Sequence, residues 1–449
     1  MAEIIRAGLL VAILALAACS PEARLRRTLS SQITGVIHLP SGTIEVSSEL
    51  DLAPQAHDLE IVGSNTLLKA SNHFRGRAIF VADGARRIRF RDFGVDGNRG
   101  VIARPLQMAL PENAFRVWYP NNGILFDRSE GLEVTNLRFA NVVNFPILVS
   151  RSRDIKISQV TVEDSGSRND LGRNNLSGGI LIEEGSSDFA VRQSVFRRIS
   201  GNALWTHSMF IAPREQDGMF ADNSFDTIGR DAIQVGHATH VRVEGNVGSN
   251  IGYPVELVDV ENDGVPVAID TSGDVDASFY TRNHFEEVNG ACIDLDGFHD
   301  GAVRDNVCIN RREIDAYPFG RFAIVMNNTY PRSQSENVEI TGNLIDGMKF
   351  GGLFLMGRGH RVVANQFLNL NRAGCNESLP RVHCIYRLDE PEMLETGIYF
   401  GRGARPGETR GNVVRGNRIT GHKMSQRCFH AGPGVSLAPN TIERNECAD

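Results

Sequence analysis

The chain contains almost no lysine and no extended helical pattern. These two absences narrow the classes of fold and of partner that the protein can have. Of its 47 basic residues only four are lysines, at positions 69, 156, 349 and 423, and the formal net charge is −7. There is no basic run, no helix-turn-helix and no aromatic sheet signature, which speaks against nucleic acid as a partner. No 3.6-residue periodicity is found between about residue 33 and the end, which speaks against a helical fold.

The first 18 residues are typical of a signal peptide rather than of a folded segment. Arg6 precedes an apolar run, residues 7–15, that is too short to span a bilayer as a mature helix. The following Leu-Ala-Ala-Cys ends at Cys19 and resembles a bacterial lipobox, which implies lipidation of Cys19. An ordinary signal peptide cleaved nearby is the alternative. Both interpretations predict export, to the periplasm or to the outer membrane and cell surface, and Ser20 after the cysteine favours the outer membrane.

The cysteines are consistent with an oxidising compartment. No Cys-x-x-Cys and no cluster of His and Cys at zinc-ligand spacing occurs, which speaks against a structural zinc. Six cysteines remain after Cys19, and an even number in an exported protein indicates disulfides. Proximity along the chain favours three pairs: Cys292–Cys308, Cys375–Cys384 and Cys428–Cys447.

Asparagine recurs at a fixed spacing over most of the chain. Asn223 and Asn246 are 23 residues apart, and Asn343 and Asn365 are 22 apart, with longer intervals between other members. The full series is Asn136, Asn223, Asn246, Asn283, Asn306, Asn343, Asn365, Asn417 and Asn445, with Gln159 and Ser194 in the two slots after Asn136. A fixed period with occasional insertions predicts a solenoid, in which each unit contacts only its neighbours.

The content of each period selects the kind of solenoid. Short runs with period-2 alternation, such as Val241–Val243 and Val338–Ile340, predict strands with one buried face. Three short strands and three turns in about 22 residues form one coil of an all-β parallel β-helix. Asn at one turn tolerates the left-handed conformation, and stacked Asn amides can bond from coil to coil. A β-sandwich or a propeller would lack this period. We therefore predict a tether at residues 19–32 and one β-helix of roughly a dozen coils at residues 33–449.

The first predicted coils resemble a known superfamily. Segments 35–46 (GVIHLPSGTIEV) and 59–64 (LEIVGS) are similar to the first coils of pectate-lyase-like domains. They identify the chain with the right-handed parallel β-helix superfamily of pectate lyases, polygalacturonases, mannuronan epimerases and phage tailspikes. The resemblance implies fold more than activity, because the superfamily contains hydrolases, lyases, epimerases and binding proteins.

The longer intervals between asparagines indicate where loops leave the solenoid. Most insertions fall after the Asn-bearing strand and before the strand that opens the next coil: 101–122, 167–177, 250–266, 310–321 and 371–396. Another insertion, 208–217, falls on the other side of its strand. Loops that leave at one turn of successive coils form a wall, and a wall beside a flat sheet forms a groove that fits an extended polymer. We therefore expect the protein to be a monomer whose partner is an extended, acidic polysaccharide.

The strand that opens each coil carries the candidate catalytic residues. With Ile269 and Ile293 pointing inward, Asp270, Asp294 and Asp296 point outward. Three neighbouring aspartates repel one another, which raises at least one pKa, as a general acid requires. Paired carboxyls are the groups that hydrolyse glycosidic bonds, and the same cluster could instead hold Ca²⁺. No other metal and no cofactor is expected.

Other residues of these outward columns complete the predicted site. His207 and His299 are candidate catalytic partners of the aspartates. The candidates for substrate binding are Trp205, Tyr399, Gln234, Asn327, Asp231 and His237. Trp205 and Tyr399 would stack on sugar rings, and the other four would form hydrogen bonds.

The family motifs only partly match. The three aspartates are similar to the polygalacturonase arrangement, yet the Asn-Thr-Asp, Gly-His-Gly and Arg-Ile-Lys motifs of that family are missing. The segment Asp296-Gly-Phe-His-Asp300 resembles the Asp-Pro-His-Asp of mannuronan epimerases, with Gly-Phe in place of Pro. No Arg or Lys stands in the outward columns to act as the base of a lyase. A glycoside hydrolase is therefore the leading prediction, a lyase or C5-epimerase is the alternative, and a non-catalytic glycan-binding or surface protein remains open.

Overall fold

The computed structural model describes residues 20–209, 213–259, 265–330, 333–375, 384, 393–405 and 407–449. The predicted signal peptide and Cys19 lie outside these residues, as do parts of the insertions 208–217, 250–266 and 371–396. Within the described part of the chain, no helix combines the length and apolarity needed to cross a membrane.

The chain winds into a parallel β-helix, as predicted. Successive coils contribute strands to three sheets, and strands within a sheet pair in parallel with their equivalents in the neighbouring coils. The first sheet has 16 strands: Gly35–His38, His57–Val62, Arg86–Arg91, Glu130–Thr135, Arg153–Ser158, Ser187–Arg192, Glu215–Ala221, Ala238–Glu244, Val275–Asp276, Phe279–Thr281, Phe298–His299, Ala302–Arg304, Glu339–Thr341, Arg361–Val363, Val413–Arg415 and Thr441–Glu443.

The second sheet follows the first after a tight turn, and the third sheet follows the second after the turn that carries most insertions. The second sheet has 14 strands: Gly42–Val46, Thr66–Ala70, Gly94–Asp96, Arg138–Ala140, Thr161–Glu163, Val195–Ile199, Ser224–Ile228, Val247–Ile251, His284–Val288, Val307–Ile309, Leu344–Asp346, Gln366–Leu370, Arg418–Gly421 and Glu446–Ala448. The third sheet has 13 strands: Leu50–Asp51, Ala78–Asp83, Asn122–Asp127, Ile147–Ser150, Ile180–Glu183, Leu204–His207, Ile233–Gly236, Val267–Ser272, Ala291–Asp296, Ile324–Asn327, Leu353–Leu355, Ile398–Phe400 and Phe429–Ala431.

Within the described ranges the helical elements are few and short. They are the α-helices α1 (Pro21–Ser31), α2 (Arg99–Ile102) and α3 (Phe115–Trp118), and the 3₁₀ turns Val255–Leu257 and Ile314–Ala316. The predicted position of the insertion 101–122 is confirmed: α2 and α3 lie between the second-sheet strand Gly94–Asp96 and the third-sheet strand Asn122–Asp127.

The core is a column of apolar side chains inside the coils. Identical or similar residues stack from rung to rung, for example Ile269 opposite Ile293 and Ile293 opposite Ile324, each at most 3% exposed. Burying one such side chain contributes about 1.5–3 kcal/mol. The stacking explains why apolar residues recur at the same position of each period.

The asparagine series forms a hydrogen-bonded ladder inside the turn between the first and second sheets. From Asn223 to Asn445 each Nδ2 donates to the Oδ1 of the next member, as in Asn283 to Asn306 at 2.9 Å. Ser194 continues the ladder, because its amide donates to the Oδ1 of Asn223. These bonds satisfy buried backbone and amide groups along the axis.

Asn136 and Gln159 do not belong to this ladder. Both have a left-handed φ, 53° and 55°, and lie one residue before the ladder position, where Asp222 (φ 56°) also lies. The two roles predicted for a single asparagine are therefore divided between adjacent residues: the first supplies the left-handed turn and the second supplies the ladder.

The segment predicted as a tether is partly folded. Ser20 caps α1 by accepting a hydrogen bond from the Ala23 amide, and Leu25 and Leu29 of α1 are buried against the first coil. The helix thus covers the open end of the apolar column, which a solenoid needs for solubility. Two buried leucines four residues apart were the sequence signal for this cap.

The three predicted disulfides are confirmed: Cys292–Cys308, Cys375–Cys384 and Cys428–Cys447. The last of them joins the two final coils, between Phe429–Ala431 and Glu446–Ala448. It closes the end of the solenoid where fewer neighbours stabilise the strands.

Candidate active site

The register of the third sheet agrees with the predicted alignment. Ile269 pairs with Ile293, which places Asp270 opposite Asp294 on the outer face, and Gln234 pairs with Asp270 on the other side. Adjacent strands lie about 4.8 Å apart, and Asp296 follows Asp294 by two residues on the same face, about 6–7 Å along the strand. The sheet therefore presents Asp270, Asp294 and Asp296 as one row of carboxyls.

Gly297 allows the chain to turn immediately after this row. Its φ is 77°, and a Cβ atom there would lie 1.6 Å from the carbonyl oxygen of Gly273 on the adjacent coil. Only glycine permits both this conformation and this approach. The turn is what leaves Asp296 at the end of its strand, beside the loop that begins at Asn327.

The three aspartates differ in their hydrogen bonds. Asp270 accepts a bond of 2.6 Å from Gln234 Nε2. Asp296 accepts bonds from both the amide and the hydroxyl of Thr329, the first at 2.7 Å. Asp294 is partly exposed, but its Oδ1 atom is buried and has no hydrogen-bond partner. A buried, unpartnered carboxyl oxygen is uncommon in a folded protein and indicates a group available for proton transfer or for a ligand.

The surroundings raise the pKa of every carboxyl in the row. Burial, and then the charge of Asp296, raise the pKa of Asp294 to about 8. Burial, and then the charges of Asp231 and Asp294, raise the pKa of Asp270 well above its usual range. Burial also raises the pKa of Asp296, although both bonds from Thr329 oppose this rise. At neutral pH, Asp294 is thus protonated and Asp296 is the member best stabilised as a carboxylate.

Asp231 and Gln234 extend the row toward the N-terminus. Asp231 is 4% exposed and accepts a bond of 2.9 Å from the Val267 amide, and burial raises its pKa to about 7. Asn202 donates to Gln234 Oε1 at 2.7 Å, which directs the amide group of Gln234 toward Asp270. Gln234 therefore orients Asp270, and Asp231 lies too deep to contact a polymer.

A second polar group adjoins the row where the third sheet turns into the first. His299 lies 3.1 Å from Asp274 and 2.8 Å from Asp300, and the bond with Asp274 is the main reason that its pKa rises to about 9. Burial lowers the pKa of His237, whose ring packs edge-on against Tyr330 at 4.8 Å between centroids. At neutral pH His299 is a cation and His237 is neutral.

Besides Asp231, three predicted residues are not available to a substrate in this structure. Trp205 and His207 are 4% and 7% exposed because Phe115 of α3 packs on both rings, the latter stacked at 3.9 Å between centroids. Tyr399 is fully buried, stacked on Phe354 at 5.7 Å. The expectation that Trp205 and Tyr399 stack on sugars, and that His207 is catalytic beside the aspartates, is therefore corrected.

The cause is that the insertion 101–122 covers the sheet instead of flanking it. Its apolar residues and the outward column form a second buried cluster outside the coils: Ala78, Val81, Ala109, Phe115, Tyr119, Leu125, Phe145, Leu148, Leu181 and Trp205. Leucine at 181 and valine at 325 in the outward column were the sequence signal for a covered face. Parts of the insertions 208–217, 250–266 and 371–396 lie outside the described residues, and the groove stays a prediction.

Asn327 and Thr329 form the C-terminal border of the row. Asn327 Oδ1 accepts bonds from the amides of Asn328 and Ala404 at 3.0 and 2.9 Å. This amide group therefore holds two loops together. Thr329 was missed by sequence reasoning, because it contacts Asp296 only after the chain leaves the strand.

Calcium at the aspartate row stays a prediction. Among the described residues, the only set of three or more His, Cys, Asp or Glu side chains with ligand atoms all within 4.8 Å of one another is Glu183, Glu184 and His207. The aspartate row is therefore more open than this group.

Comparison with known proteins identifies the fold and no closer relationship. No family model matches the sequence, and no curated protein matches it. The structure is similar to a tailspike protein of E. coli bacteriophage HK620 in complex with a pentasaccharide, with a TM-score of 0.57, 12% identity, and coverage of 94% of this chain and 73% of that chain. It is also similar to ORF18 of Geobacillus virus E2, with a TM-score of 0.52, 13% identity, and coverage of 72% and 58%.

A third similar structure is the catalytic domain of Agl-KA, with a TM-score of 0.50, 13% identity, and coverage of 94% of this chain and 65% of that chain. The chain thus spans less than two thirds of both ORF18 and the Agl-KA domain.

Proposed function

We propose that the protein is a glycoside hydrolase that acts on an extended polysaccharide, with Asp294 as general acid and Asp296 as general base. The observation that carries the proposal is the contrast between these two carboxyls on one strand. Asp294 has a buried, unpartnered oxygen and a pKa raised to about 8, whereas Asp296 is held by two hydrogen bonds from Thr329. Two carboxyls whose surroundings separate their protonation states are the equipment of glycoside hydrolysis.

The positions of the carboxyls favour inversion at the anomeric carbon. Asp294 would donate its proton to the glycosidic oxygen while Asp296 removes a proton from the attacking water. Their spacing along the strand, about 6–7 Å, reaches the lower end of the range that leaves room for this water. Asp270 lies about 5 Å from Asp294, the spacing of a retaining pair. Burial and the charges of Asp231 and Asp294 raise its pKa, which disfavours the carboxylate form that a nucleophile needs.

The substrate class follows from the shape of the sheet. A flat parallel sheet presents the same row of positions at each coil, which suits a chain of repeating units. The pentasaccharide bound by the structurally similar tailspike protein supports this class. At neutral pH Asp294 is protonated, so the row carries less negative charge than three carboxylates would, and both a neutral polymer and the acidic polymer that the sequence suggested enter the test.

The test is a screen of the purified protein on neutral and uronic-acid polysaccharides, reading both new reducing ends and the ultraviolet absorbance of unsaturated products. We expect reducing ends without unsaturation. Asp294→Asn and Asp296→Asn should each lower kcat by at least about 100-fold while the protein still binds the polymer. Asp154→Asn is the matched control, since that side chain is 54% exposed on the first sheet and should leave kcat unchanged.

The hydrolase proposal fails if Asp294→Asn retains full activity, or if binding occurs with no turnover on any polymer. The second outcome would support a non-catalytic glycan-binding protein. Retention of configuration, observed by NMR of the first product, would replace the general base Asp296 by a nucleophile, Asp270, with Asp294 acting first as acid and then as base.

A lyase or C5-epimerase is the second candidate, favoured by one specific contact. His237 is neutral at pH 7 and its ring packs against Tyr330. A neutral imidazole and a phenol beside one another can remove and return a proton at a carbon next to a carboxylate. Unsaturated products lost in His237→Gln, but kept in Asp294→Asn, would select this candidate.

We also propose that the protein is an exported lipoprotein anchored through Cys19. The support is the sequence that ends at Cys19, together with the three disulfides, which form in oxidising compartments. Cys19→Ser should move the protein from the membrane fraction to the soluble fraction of fractionated cells. Unchanged fractionation of this variant would contradict the anchor.

A further inference from the structure

A compact group of buried polar side chains lies on the same outer face, two coils before the aspartate row. Glu183, Glu184 and His207 each direct one ligand atom to a common point, with these atoms within 4.8 Å of one another. The three side chains are 0%, 7% and 7% exposed. None of them takes part in the proposed hydrolysis.

The solenoid geometry brings the three residues together. His207 pairs with Glu183 on adjacent rungs, so the two side chains stand side by side on the outer face. Glu184 has a left-handed φ of 61°, which ends the alternation of the strand and allows two consecutive carboxyls to converge. The insertion then closes over them: the amides of Phe115 and Arg116 donate to Glu183 at 2.9 and 3.0 Å.

His207 shows the second and independent sign of a ligand. Its Nε2 atom lies 3.0 Å from the carbonyl oxygen of Pro111, which can only accept, so Nε2 carries the proton. Nδ1 therefore presents a lone pair, and this atom is buried with no hydrogen-bond partner. An imidazole that donates one N–H to a backbone carbonyl while its other nitrogen faces carboxylates is the usual arrangement of a metal-bound histidine.

Three carboxyls, those of Glu183, Glu184 and Glu215, lie close together here, with Arg116 and Arg151 as nearby cations. Glu183 has one cation nearby, Arg116, whose Nη1 atom is 4.0 Å away and whose Nε is 3.6 Å from Asp127. Glu215, also fully buried, adds a further carboxyl with an unpartnered Oε2 atom.

We propose that Glu183, Glu184 and His207 bind a divalent transition metal of the Zn²⁺ class. One imidazole nitrogen and two carboxylate oxygens suit Zn²⁺ or Mn²⁺ better than Ca²⁺, which prefers oxygen ligands alone. Since Glu183 also holds the backbone of α3, the ion would fix the insertion 101–122 on the third sheet. Glu184 lines a surface pocket with Arg128 and Arg151, which gives the ion a route from solvent.

The experiment measures metal binding by the whole protein, not its activity. The protein is stripped with a chelator and titrated with ZnCl₂ and, separately, with CaCl₂, by calorimetry and by thermal unfolding. We expect one Zn²⁺ per chain, a higher Tm with Zn²⁺, and no effect of Ca²⁺. Glu184→Gln and His207→Gln should each weaken Zn²⁺ binding by at least about tenfold, and Asp294→Asn should bind Zn²⁺ as the wild type does.

Several results would overturn the proposal. One is a stripped protein with native circular dichroism that binds no Zn²⁺, and another is an affinity unchanged in both ligand variants. Loss of binding in Asp294→Asn alone would assign the metal to the aspartate row instead. If His207→Gln does not fold, Glu184→Gln decides, because Glu184 lies at the edge of the pocket. Among the described residues its carboxyl accepts a single backbone hydrogen bond, from the Met209 amide at 3.3 Å.

Discussion

Replacing Asp294 with Asn should make the protein more stable at neutral pH. In the folded protein the pKa of Asp294 is about 8, chiefly because of burial, whereas an aspartate in an unfolded chain titrates near 4. Between these values the folded state holds a proton that the unfolded state releases. The free energy of unfolding therefore falls as pH rises from about 4 to about 8. The amide of asparagine is neutral at every pH in this range, so the free energy of unfolding of the variant does not fall through this group.

The size of the effect follows from the shift. One pKa unit corresponds to about 1.4 kcal/mol, so the wild type loses up to about 3 kcal/mol between pH 5 and pH 7.5 through this group. The figure is an upper limit because Asp294 is partly exposed and because its ionisation depends on the charges of Asp296 and Asp270. The variant should gain most at pH 7.5 and little at pH 5.

The assay is urea unfolding of the wild type, Asp294→Asn and Asp154→Asn at both pH values, followed by circular dichroism. The difference between wild type and Asp294→Asn should grow with pH, and the difference for Asp154→Asn should stay constant. An Asp294→Asn protein that is less stable at pH 7.5 would refute the reasoning, because it would mean that the carboxylate is stabilised in the folded state. The polysaccharide screen on the same variant then separates loss of turnover from loss of structure.

Two further predictions concern the ladder and the histidine. Asn306→Ala should lower the free energy of unfolding by about 3 kcal/mol, since Asn306 donates to Asn343 and Tyr280 and accepts from Asn283, all inside the turn. Asn445→Ala, at the half-buried last rung, should lower it much less. Equal losses in the two variants would contradict a ladder role. Below about pH 6.5 the ion pair of His299 with Asp274 stabilises the fold fully, and this stability is lost as pH rises through about 9. In Asp274→Asn this pH-dependent loss of stability should disappear, and the pKa of His299 measured by NMR should return toward 6.5. An unchanged pKa would contradict the pairing.

The sequence was sufficient to predict the architecture because the same residue pattern recurs in successive coils of the solenoid. The 22- to 23-residue spacing, the inward Ile column and the proximity of the cysteine pairs all depend on local pattern, and each agrees with the structure. The one-residue error at Asn136 and Gln159 arose because Asn suits both the left-handed turn and the ladder. Only the hydrogen bonds distinguish these adjacent positions.

The site was only partly predictable, because outward-facing residues need not be exposed. Alternation along the strand placed Asp270, Asp294 and Trp205 on the same outer face correctly, but it carries no information about what covers that face. The insertion 101–122 covers Trp205 and His207 and leaves the aspartates partly open, and this follows from how a distant loop folds back.

What the sequence determined by itself is therefore everything that repeats: the parallel coils, the inward and outward columns and the row of aspartates. Periodicity is local, so it can be read without knowing any distant contact. What only the tertiary structure decided is which outward residues are buried, which carboxyl lacks a partner, and that Glu183, Glu184 and His207 converge. These properties depend on loops inserted at different coils, whose packing against the sheet is a non-local balance of apolar burial and hydrogen bonding that no repeat encodes.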